Sequence, residues 1–325
     1  MSLLTLLSSP FLTTVQDLGR EGFERLGVPR GGAMDRFALL AANALVGNPP
    51  GAAALEFALQ GPELVLEQDG LLALAGPGWQ LEIGGRLIPP WMAAYARAGE
   101  RIRALGGAGC AWGTLALAGG IDVPPVMGSR STYLRGGFGG LDGRALCPGD
   151  RLPLGDCAPP SALLARAGLS LPPAALPPYA QQVALRVIPG PQAERFTQRG
   201  WDTFLSSTYT LSPLSDRMGC RLDGPPVEHT AGADILSQGV VMGALQVPGS
   251  GQPLALMADR QTAGGYTVIA VVISADLPLL AQLVPGSGTA RFALADLPTA
   301  QLAWRARLAG LENLTGDREE TFAKE

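Results

Sequence analysis

Apolar and polar positions alternate in two distinct rhythms along this chain. After Asp35, the residues Phe37, Leu40, Ala41, Ala44 and Leu45 recur at helical spacing and form one stripe. Asp35 is suited to cap the start of that helix. Gly47 fits the position just past its end, and Pro49-Pro50 prevents continuation. Downstream, short apolar runs separated by turn residues predict strands over 63–67, 71–75, 80–83, 101–104 and 114–118, at spacings typical of a barrel or sandwich. Further strands are expected over 183–188, 254–258 and 267–274, the last nearly all apolar and β-branched, as in a strand covered on both faces. A short helix is predicted near 192–199, and an amphipathic one over 298–311 with Pro298 in its first turn after Asp296.

The clearest break runs from Gly155 to Gln182, where prolines stand at 159, 160, 172, 173, 177 and 178. It divides the chain into an N-terminal domain (1–155), a Pro/Ala-rich linker (156–182) with a short helical turn near 162–167, a C-terminal domain (183–312) and a polar tail (313–325). The two domains echo each other. Gly32-Ala33-Met34-Asp35-Arg36 parallels Pro213-Leu214-Ser215-Asp216-Arg217, and each is followed by a segment ending in Gln-Gly, at 60–61 and 238–239. A duplicated β-barrel would produce such an echo.

Composition narrows the chemistry. The chain has 325 residues, 47% of them hydrophobic, with 44 glycines and 28 prolines, which beside such strong apolar runs indicate a turn-rich, mainly β protein. A formal net charge of −4 without single-sign runs gives no basic face for nucleic acid. The one lysine, Lys324, follows no Gly-rich turn, so there is no P-loop. Any biotin carrier would have to be another chain. A single histidine, His229, excludes a multi-histidine zinc site, and no metal is expected. Cys110, Cys147, Cys157 and Cys220 show no C-x-x-C spacing and are expected as free, buried thiols in a reducing cytoplasm. No secretory leader and no apolar stretch long enough for a bilayer is evident, so a soluble cytoplasmic protein is expected.

Several segments are candidates for chemistry. In 254–266 an apolar strand runs into Asp259-Arg260-Gln261-Thr262-Ala263-Gly264-Gly265-Tyr266. This is either a glycine nest for an anion, with Arg260 as a planar contact and Asp259 orienting it or taking a proton, or a tight hairpin with a surface ion pair. Ser215-Asp216-Arg217-Met218-Gly219 also sets an acid beside an arginine, and Gln246 needs a partner if buried. Gly128-Ser129-Arg130-Ser131-Thr132, with the glycines at 136, 137, 139 and 140, either lines an anion site or packs as a loop on the other barrel. His229 is structural or exposed unless it serves a triad, and no nucleophile elbow accompanies it.

These motifs together resemble the family of the 5-oxoprolinase C component, also called biotin-dependent carboxyltransferase or allophanate hydrolase subunit 2. The resemblance rests on Thr14-Val15-Gln16-Asp17-Leu18-Gly19-Arg20, Gly32-Ala33-Met34-Asp35, Ala42-Asn43-Ala44-Leu45-Val46-Gly47-Asn48, Leu55-Glu56, Gly128-Ser129-Arg130-Ser131-Thr132, Ser215-Asp216-Arg217-Met218-Gly219, Gln246-Val247-Pro248 and the block 259–266. It implies two cyclophilin-like β-barrel domains. It also implies a component, inactive alone, that works with a homologous B component of the kinase-inhibitor type and an A component of the lactam-utilisation type. Such a complex opens 5-oxoproline to L-glutamate with ATP. Catalytic roles then fall to Asp259 and Arg260, and substrate contacts to Arg217, Gln246, Gln261, Thr262 and Tyr266. The family also contains carboxyltransferases acting on urea and a non-catalytic antagonist of a histidine-kinase inhibitor.

Overall fold

The computed structural model describes residues 3–107, 109 and 111–315; Cys110, Lys324 and most of the expected polar tail lie outside them. The fold is mainly β. By contacts the chain divides into two compact units: Met1–Arg20, Gly31–Leu176 and Leu308–Glu325 in unit 1, and Glu21–Arg30 with Pro177–Arg307 in unit 2.

Unit 1 contains β1 (Leu3–Ser8), β2 (Leu12–Gln16), β3 (Ala54–Ala58), β4 (Glu63–Leu66), β5 (Gly70–Ala75), β6 (Trp79–Ile83), β7 (Arg86–Ile88), β8 (Met92–Ala96), β9 (Arg101–Gly106), β10 (Trp112–Leu117) and β11 (Arg151–Pro153). They form two sheets, ordered β11-β1-β4-β9-β6-β7 and β2-β3-β10-β5-β8. One core fills the space between them: Leu4, Leu64, Leu81 and Ile102 from the first sheet meet Val15, Leu55, Leu72 and Leu115 from the second. Helix α1 (Arg36–Val46) lies on the other face of the second sheet, against β5 and β10. That is why five of the six residues in each of β5 and β10 are buried. It starts as the sequence predicts, with the Asp35 carboxylate accepting from Ala38 N–H at 2.9 Å, and stops at Gly47 in the left-handed conformation. Helix α2 (Pro160–Arg166) occupies the proline-rich stretch.

Unit 2 contains β12 (Gln182–Pro189), β13 (Tyr209–Leu211), β14 (Gly219–Asp223), β15 (Asp234–Gly239), β16 (Ala244–Gln246), β17 (Leu254–Leu256), β18 (Ala263–Tyr266), β19 (Val268–Val272) and β20 (Thr289–Leu294). Seven of them close a barrel in the order β12-β19-β16-β17-β14-β13-β20, sealed by the parallel pair β12 and β20. The remaining two, β15 and β18, pair as a separate ribbon. Its helices are α3 (Gln198–Ser206), α4 (Leu277–Ala281) and α5 (Leu297–Thr315), which runs on into unit 1. The Asp296 carboxylate caps α5, accepting from Thr299 N–H at 2.9 Å, and Ala300 packs with Ile273 and Ala275.

Three expectations need correcting. The helix placed near 192–199 is instead one 3-10 turn (Ala193–Arg195) followed by α3, which begins at Gln198 under a Thr197 cap. Phe196 intervenes in an extended conformation because the backbone here pairs with that around His229, and the two rings lie with centroids 4.7 Å apart. The echo between 32–36 and 213–217 is not one of local structure: the first opens α1, whereas Asp216 accepts from Met218 and Gly219 N–H in a tight turn before β14. Among the described cysteines, all free, only Cys220 is buried. Burial, with Asp216 adding to it, pushes its thiol up to about 12.

Candidate functional site

The two charged blocks of the second domain meet on the barrel of unit 2. Pairing of β14 with β17 aligns Gly219 with Leu256, so the turns preceding one and following the other lie together. There Arg217 donates to both oxygens of Asp259, Nε at 2.9 Å and Nη2 at 3.1 Å, with both side chains buried. Backbone bonds lock the same junction, Met257 N–H to Met218 O and Asp259 N–H to Arg217 O. As found, Asp259 therefore holds Arg217 rather than its neighbour Arg260, and the ion pair is buried rather than superficial.

Arg260 is also buried, at 8% exposure. Its Nε donates to Val240 O at 3.3 Å. Burial lowers the pKa of its guanidinium; the charge of Glu24 opposes the shift and that of Arg30 adds to it. Both residues belong to the excursion 21–30, which the chain sends into unit 2 before α1. Sequence reading missed this pair. The one available signal is the run of glycines around them, with Gly27 and Gly32 at positive φ.

A second pair lies alongside. Gln261 Nε2 donates to Gln246 Oε1 at 3.1 Å, while Gln246 Nε2 is buried with no hydrogen-bond partner among the described residues. A Cβ on Gly264 would collide with that nitrogen, which explains the glycine. Gly264 and Gly265 do not form the expected nest: neither has a positive φ, and both belong to the extended β18. The turn comes earlier, at 257–262, where Arg260 N–H bonds to Met257 O. Thr262 O accepts from Val240 N–H, and Tyr266 lies at the end of the ribbon opposite Asp234, 42% exposed. The structure thus brings together Arg217 with Asp259 and Gln246 with Gln261, and leaves Tyr266 outside the buried groups.

The remaining candidates resolve as internal architecture. His229 Nε2 lies 3.0 Å from Thr267 Oγ1 and 3.1 Å from Val247 O, bracing the barrel. In unit 1, Ser129 and Ser131 hydroxyls donate to Asp17 at 2.7 and 2.5 Å, joined by Arg130 and Gly19 N–H, so these groups serve a protein carboxylate instead of a free anion. A Cβ on Gly139 or Gly140 would collide with Ser131 O or Thr132 Oγ1. A cleft of about 830 Å³ in unit 1 contains Arg130 and Arg166, but these already bind Asp122 and the end of α1. No helix among the described residues is long and apolar enough to cross a membrane.

The closed barrel of unit 2 thus carries buried arginine, carboxylate and carboxamide groups near the ends of its strands. Residues 26–294 match the family described as carboxyltransferase domain, subdomain A and B, and the chain belongs to that family. It is 38% identical over 322 residues to the C component of 5-oxoprolinase from Escherichia coli, covering 93% of this chain and 98% of that one. Among solved structures, that of TTHA0988 superposes with TM-score 0.80 at 35% identity, covering 90% of this chain and 55% of that one. The K. lactis urea amidolyase superposes with TM-score 0.88 at 27% identity, covering 96% of this chain and 20% of that one. The chain thus spans about half of the first solved relative and a fifth of the second.

Proposed function

We propose that this chain is the C component of an ATP-dependent 5-oxoprolinase, acting in the cytoplasm with the A and B components to open 5-oxoproline to L-glutamate. The observation that carries this reading is the buried Arg217–Asp259 pair beside Arg260 and Gln246–Gln261, in a chain alike along nearly its whole length to a 5-oxoprolinase C component. A five-membered lactam is a stable amide. Transfer of the ATP γ-phosphoryl group to its carbonyl oxygen makes that oxygen a leaving group and the carbon electrophilic. Water adds at this carbon and the C–N bond breaks, which frees the amine and leaves an acyl phosphate; a second water then hydrolyses the acyl phosphate to the carboxylate and inorganic phosphate.

The site must hold a small carboxylate and stabilise charge on oxygen. Arg260, buried in the barrel of unit 2, is the cation for that purpose, with Arg217 held in place by Asp259. Gln246, Gln261 and Thr262 orient the lactam, and Tyr266 contacts it from the exposed side. Proton transfer by Asp259 requires its pair with Arg217 to open. ATP is here a substrate of the whole complex, and the chain has no P-loop lysine with which to hold it alone. The isolated chain is expected to be inactive.

A second reading, a carboxyltransferase acting on urea or a related amide, is supported by the likeness to urea amidolyase. The test is ATP hydrolysis stimulated by 5-oxoproline, with this chain and the A and B components combined and each omitted in turn. Glutamate formation that needs this chain supports the oxoprolinase reading. Turnover without it, or none at all, moves the assignment to the second.

A further inference from the structure

A second carboxamide pair lies against the same stretch of chain. Gln192 Nε2 donates to Gln238 Oε1 at 3.2 Å, and Gln238 Nε2 donates back to Gln192 Oε1 at 3.1 Å, closing an edge-to-edge ring of two amides. The Val268 N–H also donates to Gln192 Oε1, at 3.1 Å, which fixes the Gln192 side chain. Two registers tie this pair to the site. Gln238 is opposite Gly264 in the ribbon, and Val268 is opposite Gln246 in the barrel. The ribbon is irregular between Asp234 and Gln238, the kind of local break that re-aims a side chain. Four carboxamides therefore surround the segment from Gly264 to Val268, beside the Thr267 hydroxyl. The whole cluster is uncharged.

A reciprocal amide ring requires N–H and C=O on one edge of the same group. A trans peptide cannot present that edge. A primary amide, a lactam or a urea does. Each bond in such a ring gains little beyond the hydrogen bonds to water that it replaces, and Gln192 and Gln238 are only half-buried, so the ring is exchangeable. We infer that Gln192 and Gln238 are specificity-determining residues that read the cis-amide edge of the substrate. Gln192, pinned by Val268, stays in place and offers Nε2–H to the lactam carbonyl and Oε1 to the lactam N–H. Gln238, on the ribbon, swings aside as the ligand replaces it. The choice of a lactam rests on the oxoprolinase reading.

The experiment measures affinity of the full chain, by itself and with its companion components, for 5-oxoproline, for its lactone counterpart (ring oxygen in place of N–H) and for urea. The expected wild-type preference for lactam over lactone is roughly tenfold, the loss of one bond with an acceptor left unpaired. Gln192→Met should bring that ratio near one. Gln238→Ala should do the opposite of a structural lesion and tighten lactam binding several-fold, because it removes the internal competitor. Both variants weakening alike, or an unchanged ratio, overturns the inference and leaves the oxoprolinase reading intact. Urea binding with the same glutamine dependence, and no lactam binding, sustains the amide reader and removes the oxoprolinase reading. Binding of none of the probes overturns the inference.

Discussion

Arg217 and Asp259 stand 42 positions apart, yet their side chains form a two-point ion pair of 2.9 and 3.1 Å with almost no exposure. Neither charge has solvent to fall back on. Removing one partner leaves the other buried and uncompensated, at a cost of about 3–5 kcal/mol. Arg217→Ala and Asp259→Ala should each lower stability by that order. Denaturant unfolding of a double-mutant cycle checks it: the double variant should lose clearly less than the sum of the singles.

Gly264 gives a sharper test of the amide cluster. A methyl group there runs into Gln246 Nε2, while one at Gly239 meets nothing within 4 Å. Gly264→Ala must shift the amide end of the Gln246 side chain, which Gln261 holds. It is expected to cost about 1–3 kcal/mol, as overpacking does, and to weaken 5-oxoproline binding. Gly239→Ala should leave both within error. Calorimetry and ligand binding on the two variants separate the outcomes.

Much of this architecture was legible in the residues. Asp35 and Gly47 mark both ends of α1, because a cap and a left-handed stop leave local signatures. The strand over 267–274 was readable from its unbroken β-branched run. The motif blocks also named Arg217, Gln246, Asp259, Arg260 and Gln261. Their pairing was not readable, since which carboxylate faces which guanidinium depends on the β14–β17 register. Arg260's neighbours Glu24 and Arg30 were hidden for a similar reason: the excursion 21–30 belongs to unit 2 although it precedes α1 in unit 1. Gln192 and Gln238, 46 positions apart, carry no motif of their own.

Cys220 sets an alkaline limit on stability. Burial raises its thiol from an ordinary value of 9.0 to about 12 in the fold. The unfolded chain therefore releases this proton first. Stability from this group is complete below about pH 9 and declines above it, by about 1.4 kcal/mol per pH unit until the folded thiol titrates. Cys220→Ala should flatten that part of the stability–pH curve. Peptide-resolved alkylation of the native protein should label the exposed Cys147 and Cys157 well before Cys220.

Asp150 works in the opposite direction at low pH. Two bonds from Arg144, at 2.7 and 2.8 Å, hold its carboxyl below the ordinary 3.8 despite some burial, and Cys147 N–H adds to the effect. Its contribution is present above the unfolded value and is lost as pH falls through the lower folded one. Because Arg144 is substantially exposed, the effect is small and screened by salt. Asp150→Asn should reduce stability slightly at neutral pH and make progressively less difference as the pH falls below the ordinary carboxylate range. Thermal midpoints across that range, at low and high salt, check both arms.

Arg260 should separate stability from function. Its charge is disfavoured by burial, with Arg30 adding to the effect and Glu24 offsetting part of it. A group held at a cost to folding is expected to bind something once substrate arrives. Arg260→Met keeps the length of the side chain and removes the charge, so unfolding stability should stay level or rise. The same variant in the assembled complex should lose about 100-fold or more of the 5-oxoproline-dependent ATP hydrolysis. Arg260→Lys keeps the charge without the planar fork and should fall between the two. A variant that loses stability and activity in parallel would place Arg260 among the structural residues. One that keeps full turnover would remove it from the site.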